Sequence, residues 1–108
     1  MTQLIKTVDE FNEMIASETP IVMKFTADWC PDCKRLDMFI HEVFEQLSEV
    51  PFFEIDKDKF PDLTEKYSVM GIPSLLIFKN NEKIAHLHSA NAKTPEEVTE
   101  FLSPYFAK

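Results

Sequence analysis

Residues 21–26, Ile-Val-Met-Lys-Phe-Thr, are apolar nearly throughout and follow a proline. A strand with apolar side chains on both sides must be covered on both faces, so it belongs at the centre of a sheet layered between helices. The flanking segments alternate accordingly. Thr2 to Lys6 reads as a short first strand. Thr7 with Glu10 makes a capping box for a helix whose apolar positions include Val8, Phe11, Met14 and Ile15. Leu36, Phe39, Ile40, Val43, Phe44 and Leu47 recur at helical spacing up to about Glu49. Phe52–Asp56 is the next strand, Pro61–Tyr67 a short helix and Ser74–Lys79 another strand. Asn80-Asn81 suits a two-residue hairpin turn, since asparagine tolerates positive φ, and Lys83–Ser89 pairs back antiparallel. Thr94-Pro95-Glu96-Glu97 supplies an N-cap, a first-turn proline and a capping acid for a last helix to about Phe106. The predicted order is β-α-β-α-β-α-β-β-α: an α/β chain with a central mixed sheet and helices on both faces.

The 108 residues read as one domain, 1–108, with no repeat or linker and a single glycine, Gly71. A net charge of −8 argues against nucleic acid and anionic membranes as partners. No stretch approaches the roughly 18 apolar residues that a membrane span needs. The first ten residues read as folded structure rather than a secretion signal, so the expected location is cytoplasmic.

Just after the apolar run, Trp29-Cys30-Pro31-Asp32-Cys33 holds both cysteines of the chain. At a helix start, this spacing puts the two Cα atoms about 5 Å apart, inside the range of about 4.4–6.8 Å that a disulfide needs. Unpaired N–H groups and partial positive charge at that end stabilise a negative sulfur at Cys30. An attacking thiolate and a second, resolving thiol are the minimum parts for disulfide exchange. A structural disulfide closing so short a loop constrains the unfolded chain little. A metal site needs two more ligands, and His41, His86 and His88 do not follow the pair at zinc-finger spacing. On spacing alone redox chemistry leads, with a metal site and coincidence still open. His86 and His88 share a strand face and read as solvent-exposed histidines.

Ala27-Asp28-Trp29-Cys30…Cys33-Lys34 after an apolar strand, followed by Met70-Gly71-Ile72-Pro73-Ser74-Leu-Leu-Ile-Phe-Lys-Asn80, resembles the thioredoxin family over essentially the whole chain. The resemblance implies a thiol–disulfide oxidoreductase with Cys30 as nucleophile and Cys33 as the more buried, resolving thiol. It implies a cis Pro73 facing the cysteines, which exposes the Ile72 backbone to an extended substrate as in strand addition. Trp29, Met70 and Ile72 then form an apolar rim. No metal or organic cofactor is implied, only the dithiol/disulfide. The implied partners are disulfide-containing proteins and an NADPH-dependent thioredoxin reductase or another dithiol donor, and the chain is expected to be a monomer.

Several positions depart from the family pattern. Pro31-Asp32 replaces Gly-Pro between the cysteines; the Asp32 carboxylate is expected to repel the thiolate, with Lys34 and Arg35 partly offsetting it. This motif is similar to a cytosolic branch of thioredoxin-related proteins with narrower substrates. Lys24 stands where the family carries a buried acid that moves the resolving thiol's proton. A buried ammonium needs a partner, and Glu54 in the neighbouring strand is the candidate. Either Glu54 or a neutral Lys24 then handles the Cys33 proton, or the pair is purely structural. Met38 stands in place of a helix-kinking proline, and Asn81 and Ser89 in place of glycines.

The reading is a cytosolic disulfide reductase with a reducing potential. The alternatives are a dedicated reductase of one partner or of small thiol adducts, a thioredoxin-fold binding module that uses its cysteines little, and a metal-binding protein.

Overall fold

The computed structural model describes residues 2–108. The strands are β1 (Thr2–Leu4), β2 (Ile21–Thr26), β3 (Phe52–Asp56), β4 (Ser74–Lys79) and β5 (Glu82–Leu87). The helices are α1 (Val8–Ile15), α2 (Pro31–Glu45), α3 (Pro61–Lys66) and α4 (Pro95–Phe106), with a single 3-10 turn at Ser89–Asn91. The sheet order is β1-β3-β2-β4-β5, so β2 lies at the centre. β3 runs parallel to both β1 and β2, while β4 and β5 are antiparallel additions. The mixed sheet follows from two α-crossovers and one closing hairpin.

Side-chain alternation divides the core into two layers. Val22, Phe52, Leu75 and Ile77 point to one face, where they meet Leu36, Ile40 and Val43 of α2 and Val98, Leu102 and Phe106 of α4. Ile21, Met23, Phe25, Ile55, Leu76 and Phe78 point to the other, against Phe11 and Ile15 of α1 and Leu63 of α3. The cap at Thr94 forms in full as the sequence indicates, whereas at Thr7 only the N-cap half forms and Glu10 reaches back to the Lys6 N–H. Thr7 accepts from the Glu10 N–H, and Thr94 and Glu97 complete a reciprocal capping box.

The element boundaries differ from expectation at several ends. β1 stops at Leu4, α3 at Lys66, and α2 at Glu45 rather than near Glu49. Leu47 leaves the helix to form an isolated bridge with Ala107, while Ser48 bonds the Phe106 carbonyl through its N–H and its hydroxyl. The hairpin begins at Glu82 because Asn80 and Asn81 both take positive φ, 52° and 69°, closing the tightest two-residue turn. β5 ends at Leu87, and Ser89 turns away to lie against Gly71. A Cβ at Gly71 would come within 2.6 Å of Ser89 Oγ, so a larger residue there would require the serine hydroxyl to turn aside.

His86 is half-buried, not solvent-exposed: Leu76 is its pairing partner on β4, and its ring stacks on His88 at 3.9 Å. Lys83 Nζ lies 3.1 Å from Nδ1, which places the ring proton on Nε2, a buried atom without a partner. Among the described residues, no three His, Cys, Asp or Glu side chains gather as a metal site. Burial, with the charge of His88 and Lys83, pushes His86 down to about 4. Between the ordinary histidine value and 4 the unfolded chain binds a proton that the folded chain does not. Stability is therefore full above about pH 6.5 and falls with pH toward 4. His86→Gln keeps an acceptor for Lys83 and should flatten the fall in Tm between pH 7 and 5 by several degrees, roughly 1 kcal/mol after allowing for screening. An imidazole NMR titration of His86 with a midpoint near 6.5 would show this account to be wrong.

Candidate active site

The chain leaves β2 at Thr26, turns through a Cys30 N–H to Ala27 carbonyl bond of 3.2 Å, and enters α2 with Cys30 as N-cap. Pro31 occupies the first helical position, where its missing N–H has no consequence. The Cys33 N–H donates to Cys30 Sγ at 3.1 Å, a bond that strengthens as the sulfur gains charge. Cys30 Sγ also lies 3.8 Å from the Ile72 carbonyl, and the Ile72–Pro73 peptide is cis. The loop before β4 is thus held against the sulfur. Ser74 Oγ steadies it by donating to the Gly71 carbonyl.

Exposure barely separates the two free thiols, at 3% for Cys30 and 2% for Cys33. Their hydrogen-bond partners differ. Burial pushes the Cys33 thiol up to about 11; its bond with Cys30 adds to the rise, and bonds to Thr26 and Ala27 only partly counter it. Ile72 packs on the cluster formed by Ala27, Cys30 and Cys33. Trp29 and Met70, exposed by 63% and 93%, stand outside that cluster. The Trp29 indole N–H instead donates to Asp58 at 2.7 Å, and Lys57 lies over its ring. Asp58, just after β3, had no signal in the sequence.

Asp32 is paired with Arg35, as expected, and with a second cation that was not. The Lys93 ammonium lies 2.7 Å from one carboxylate oxygen and Arg35 holds the other, which keeps the Asp32 carboxyl below the usual carboxylate range. Lys34, expected to share this role, instead lines a cavity on the Cys33 side. Lys93 is 61 residues from Asp32 and approaches only through the loop before α4, so no local pattern announces it.

Lys24 is fully buried, and Glu54 is its partner as the strand register suggests. The two are paired across parallel strands, so both side chains face α2. Their contact is 3.0 Å. A second partner, Asp37 of α2, was missed in the sequence although it follows Cys33 by one helical turn. Burial pulls Lys24 down, but bonds and charge from Asp37 and Glu54 outweigh it and hold Lys24 above the ordinary lysine range. Held as an ammonium, Lys24 has no lone pair to offer a proton. Cys33, Asp37 and Glu54 all line one cavity of about 640 Å³.

A sulfur at a helix start, a second thiol bonded to it through the backbone, and a loop carbonyl beside the first can pass a disulfide from one pair of sulfurs to another. That chemistry is the province of thiol–disulfide oxidoreductases. The family model for thioredoxin matches residues 2–103. The chain is 35% identical to Saccharomyces cerevisiae thioredoxin-1 over 91 residues, covering 84% of this chain and 88% of that protein. It is 29% identical to the mitochondrial thioredoxin-2 of Schizosaccharomyces pombe over 90 residues, covering 83% and 68%. The thioredoxin structure from Malassezia sympodialis superposes with a TM-score of 0.83 at 22% identity, covering 96% and 92%. The chain belongs to the thioredoxin family and is a thiol–disulfide oxidoreductase. Among the described residues, no helix is long and apolar enough to cross a membrane.

Two variant series probe these charges. Asp37→Asn with Glu54→Gln strands a buried ammonium and should cost about 3 kcal/mol in urea unfolding, whereas adding Lys24→Met recovers most of that loss. Equal stability of the double and triple variants would refute the ion-pair account. Lys93→Met should slow iodoacetamide alkylation of Cys30 by roughly threefold at low salt, and have no effect once Asp32 is asparagine.

Proposed function

We propose that the protein is a reductase of protein disulfides, with Cys30 as nucleophile and Cys33 as resolving thiol. The observation that carries this reading is the asymmetry of the pair. Cys30 Sγ accepts the Cys33 N–H at the start of α2, while Cys33 is kept as a thiol up to about pH 11. Cys30 thiolate attacks a substrate disulfide and expels one substrate sulfur. Cys33 then attacks Cys30, releasing the second substrate sulfur and leaving Cys30 and Cys33 joined. One substrate disulfide is reduced and one dithiol oxidised.

The substrate docks as an extended strand along the Ile72 backbone and against Pro73, with Trp29 and Met70 as the exposed apolar contacts. Their exposure supports this role, as large apolar side chains left in solvent beside a reactive group mark a contact surface. Lys24 and Glu54 form the charged base beneath Cys33, and Asp32 with its two cations adjusts the field at the helix start. The dithiol is the whole redox apparatus, without metal or organic cofactor. Electrons come from an NADPH-dependent thioredoxin reductase or another dithiol donor. The protein works in the cytosol as a monomer, its 108 residues acting as one thioredoxin-like domain, and its potential is reducing.

Cys30→Ser should abolish insulin disulfide reduction supported by NADPH and a thioredoxin reductase. Cys33→Ser should instead trap a mixed disulfide visible on a non-reducing gel. Turnover by a folded Cys30→Ser variant would overturn the assignment, and no turnover by the wild type with either enzymatic or dithiothreitol reduction would favour a binding module.

A further inference from the structure

Resolution requires Cys33 to lose its proton into the cavity, where an ammonium at Lys24 has no lone pair to accept it. Two carboxylates that share this lysine face the same cavity as Cys33. They are not equivalent. Glu54 is 24% exposed on the sheet floor, whereas Asp37 is 54% exposed at the mouth. Asp37 also follows Cys33 by one turn on the same helix, which brings their Cβ atoms to about 5–6 Å and onto one face. Its Oδ1 is held by Lys24; Oδ2 makes no hydrogen bond among the described residues. The cavity, about 640 Å³ and partly polar, is large enough for water between the sulfur and that oxygen.

We propose that Asp37 carries the Cys33 proton to bulk solvent during resolution of the mixed disulfide, acting through water while Lys24 holds its carboxylate over the cavity. This rests on the reading of Cys33 as the resolving thiol. The proton passes from Cys33 Sγ through water to Asp37 and on to solvent. The Cys33 thiolate forms the bond to Cys30, and the substrate sulfur leaves with the electron pair of the broken bond. Asp37 is a positioning residue, since it reaches the sulfur only through water. The other charged groups facing the cavity are Lys6, Asp28, Lys34, Glu54, Asp56 and Lys59. Of these, Lys34 shares the helix with Asp37, and the remainder come from β3 or from loops around it.

Stopped-flow reaction of the reduced protein with dithiobis-nitrobenzoate separates the two steps, because each releases one coloured thiolate. Asp37→Asn should leave the first release within about twofold and slow the second roughly tenfold at pH 7, with the deficit closing as pH rises and hydroxide replaces the relay. Asp37→Glu should restore the second release. A second release at the wild-type rate, a deficit constant from about pH 6 to 9, or a larger loss from Glu54→Gln than from Asp37→Asn each overturns the proposal. Absence of the first release in the wild type would instead sink the assignment of the cysteines, and the relay with it.

Discussion

Lys24 ties together the three elements on which the site is built. Its ammonium starts from the central strand, and its two partners belong to the neighbouring strand β3 and to α2. An unpaired charge in that position is expensive, so α2 must lie over the sheet with the Asp37 face turned inward. Cys33 sits on the same face one turn earlier and is buried by the same rotation. The ion pair therefore sets which cysteine faces the sheet, and the N-cap position of Cys30 follows from where α2 begins. Apolar packing by Leu36, Ile40 and Val43 supplies most of the adhesion, while the charge supplies the register.

At the opposite end of the same turn, Asp32 shows how a charge is managed in solvent. A carboxylate beside a reacting sulfur opposes thiolate formation, yet the first turn of a helix favours an acid. Arg35 and Lys93 reconcile the two by engaging both carboxylate oxygens. Because Lys93 comes from the loop before α4, the electrostatics at Cys30 depend on how the C-terminal helix docks. α4 packs on the same sheet face as α2, so that docking is part of the core and not a surface accident.

The layered fold was legible because its strongest signals are local. The apolar β2, the N-cap at Thr7, the capping box at Thr94 and the Asn80-Asn81 turn each carry their own stereochemistry. The errors lie where tertiary contact overrides a local pattern. Leu47 continues the helical periodicity of α2 but exchanges it for a bridge to Ala107. Ser89 looks like strand but breaks away to pack on Gly71. The same division holds at the site. Glu54 was readable as the partner of Lys24 because adjacent parallel strands bring them side by side. Asp37, Lys93 and Asp58 were not, since each partnership depends on how a helix or a loop docks. His86 was misjudged for a related reason: alternation assigns it a face, but not the stacked His88 and the Lys83 that close over it.

A cation in place of an acid in the central strand changes the physical problem of moving a proton. A buried acid serves as its own acceptor, at the expense of desolvating a carboxylate. A buried lysine with neighbours that reach solvent desolvates only one charge fully, and its partners keep part of their hydration. That arrangement is the easier one to stabilise, but it removes the lone pair from the buried position. Any acceptor must then stand at the wall of the cavity rather than on its floor, and water must complete the path. The exchange of charge at Lys24 thus moves the proton route from the sheet to the helix that carries the cysteines, which is the side on which Asp37 stands.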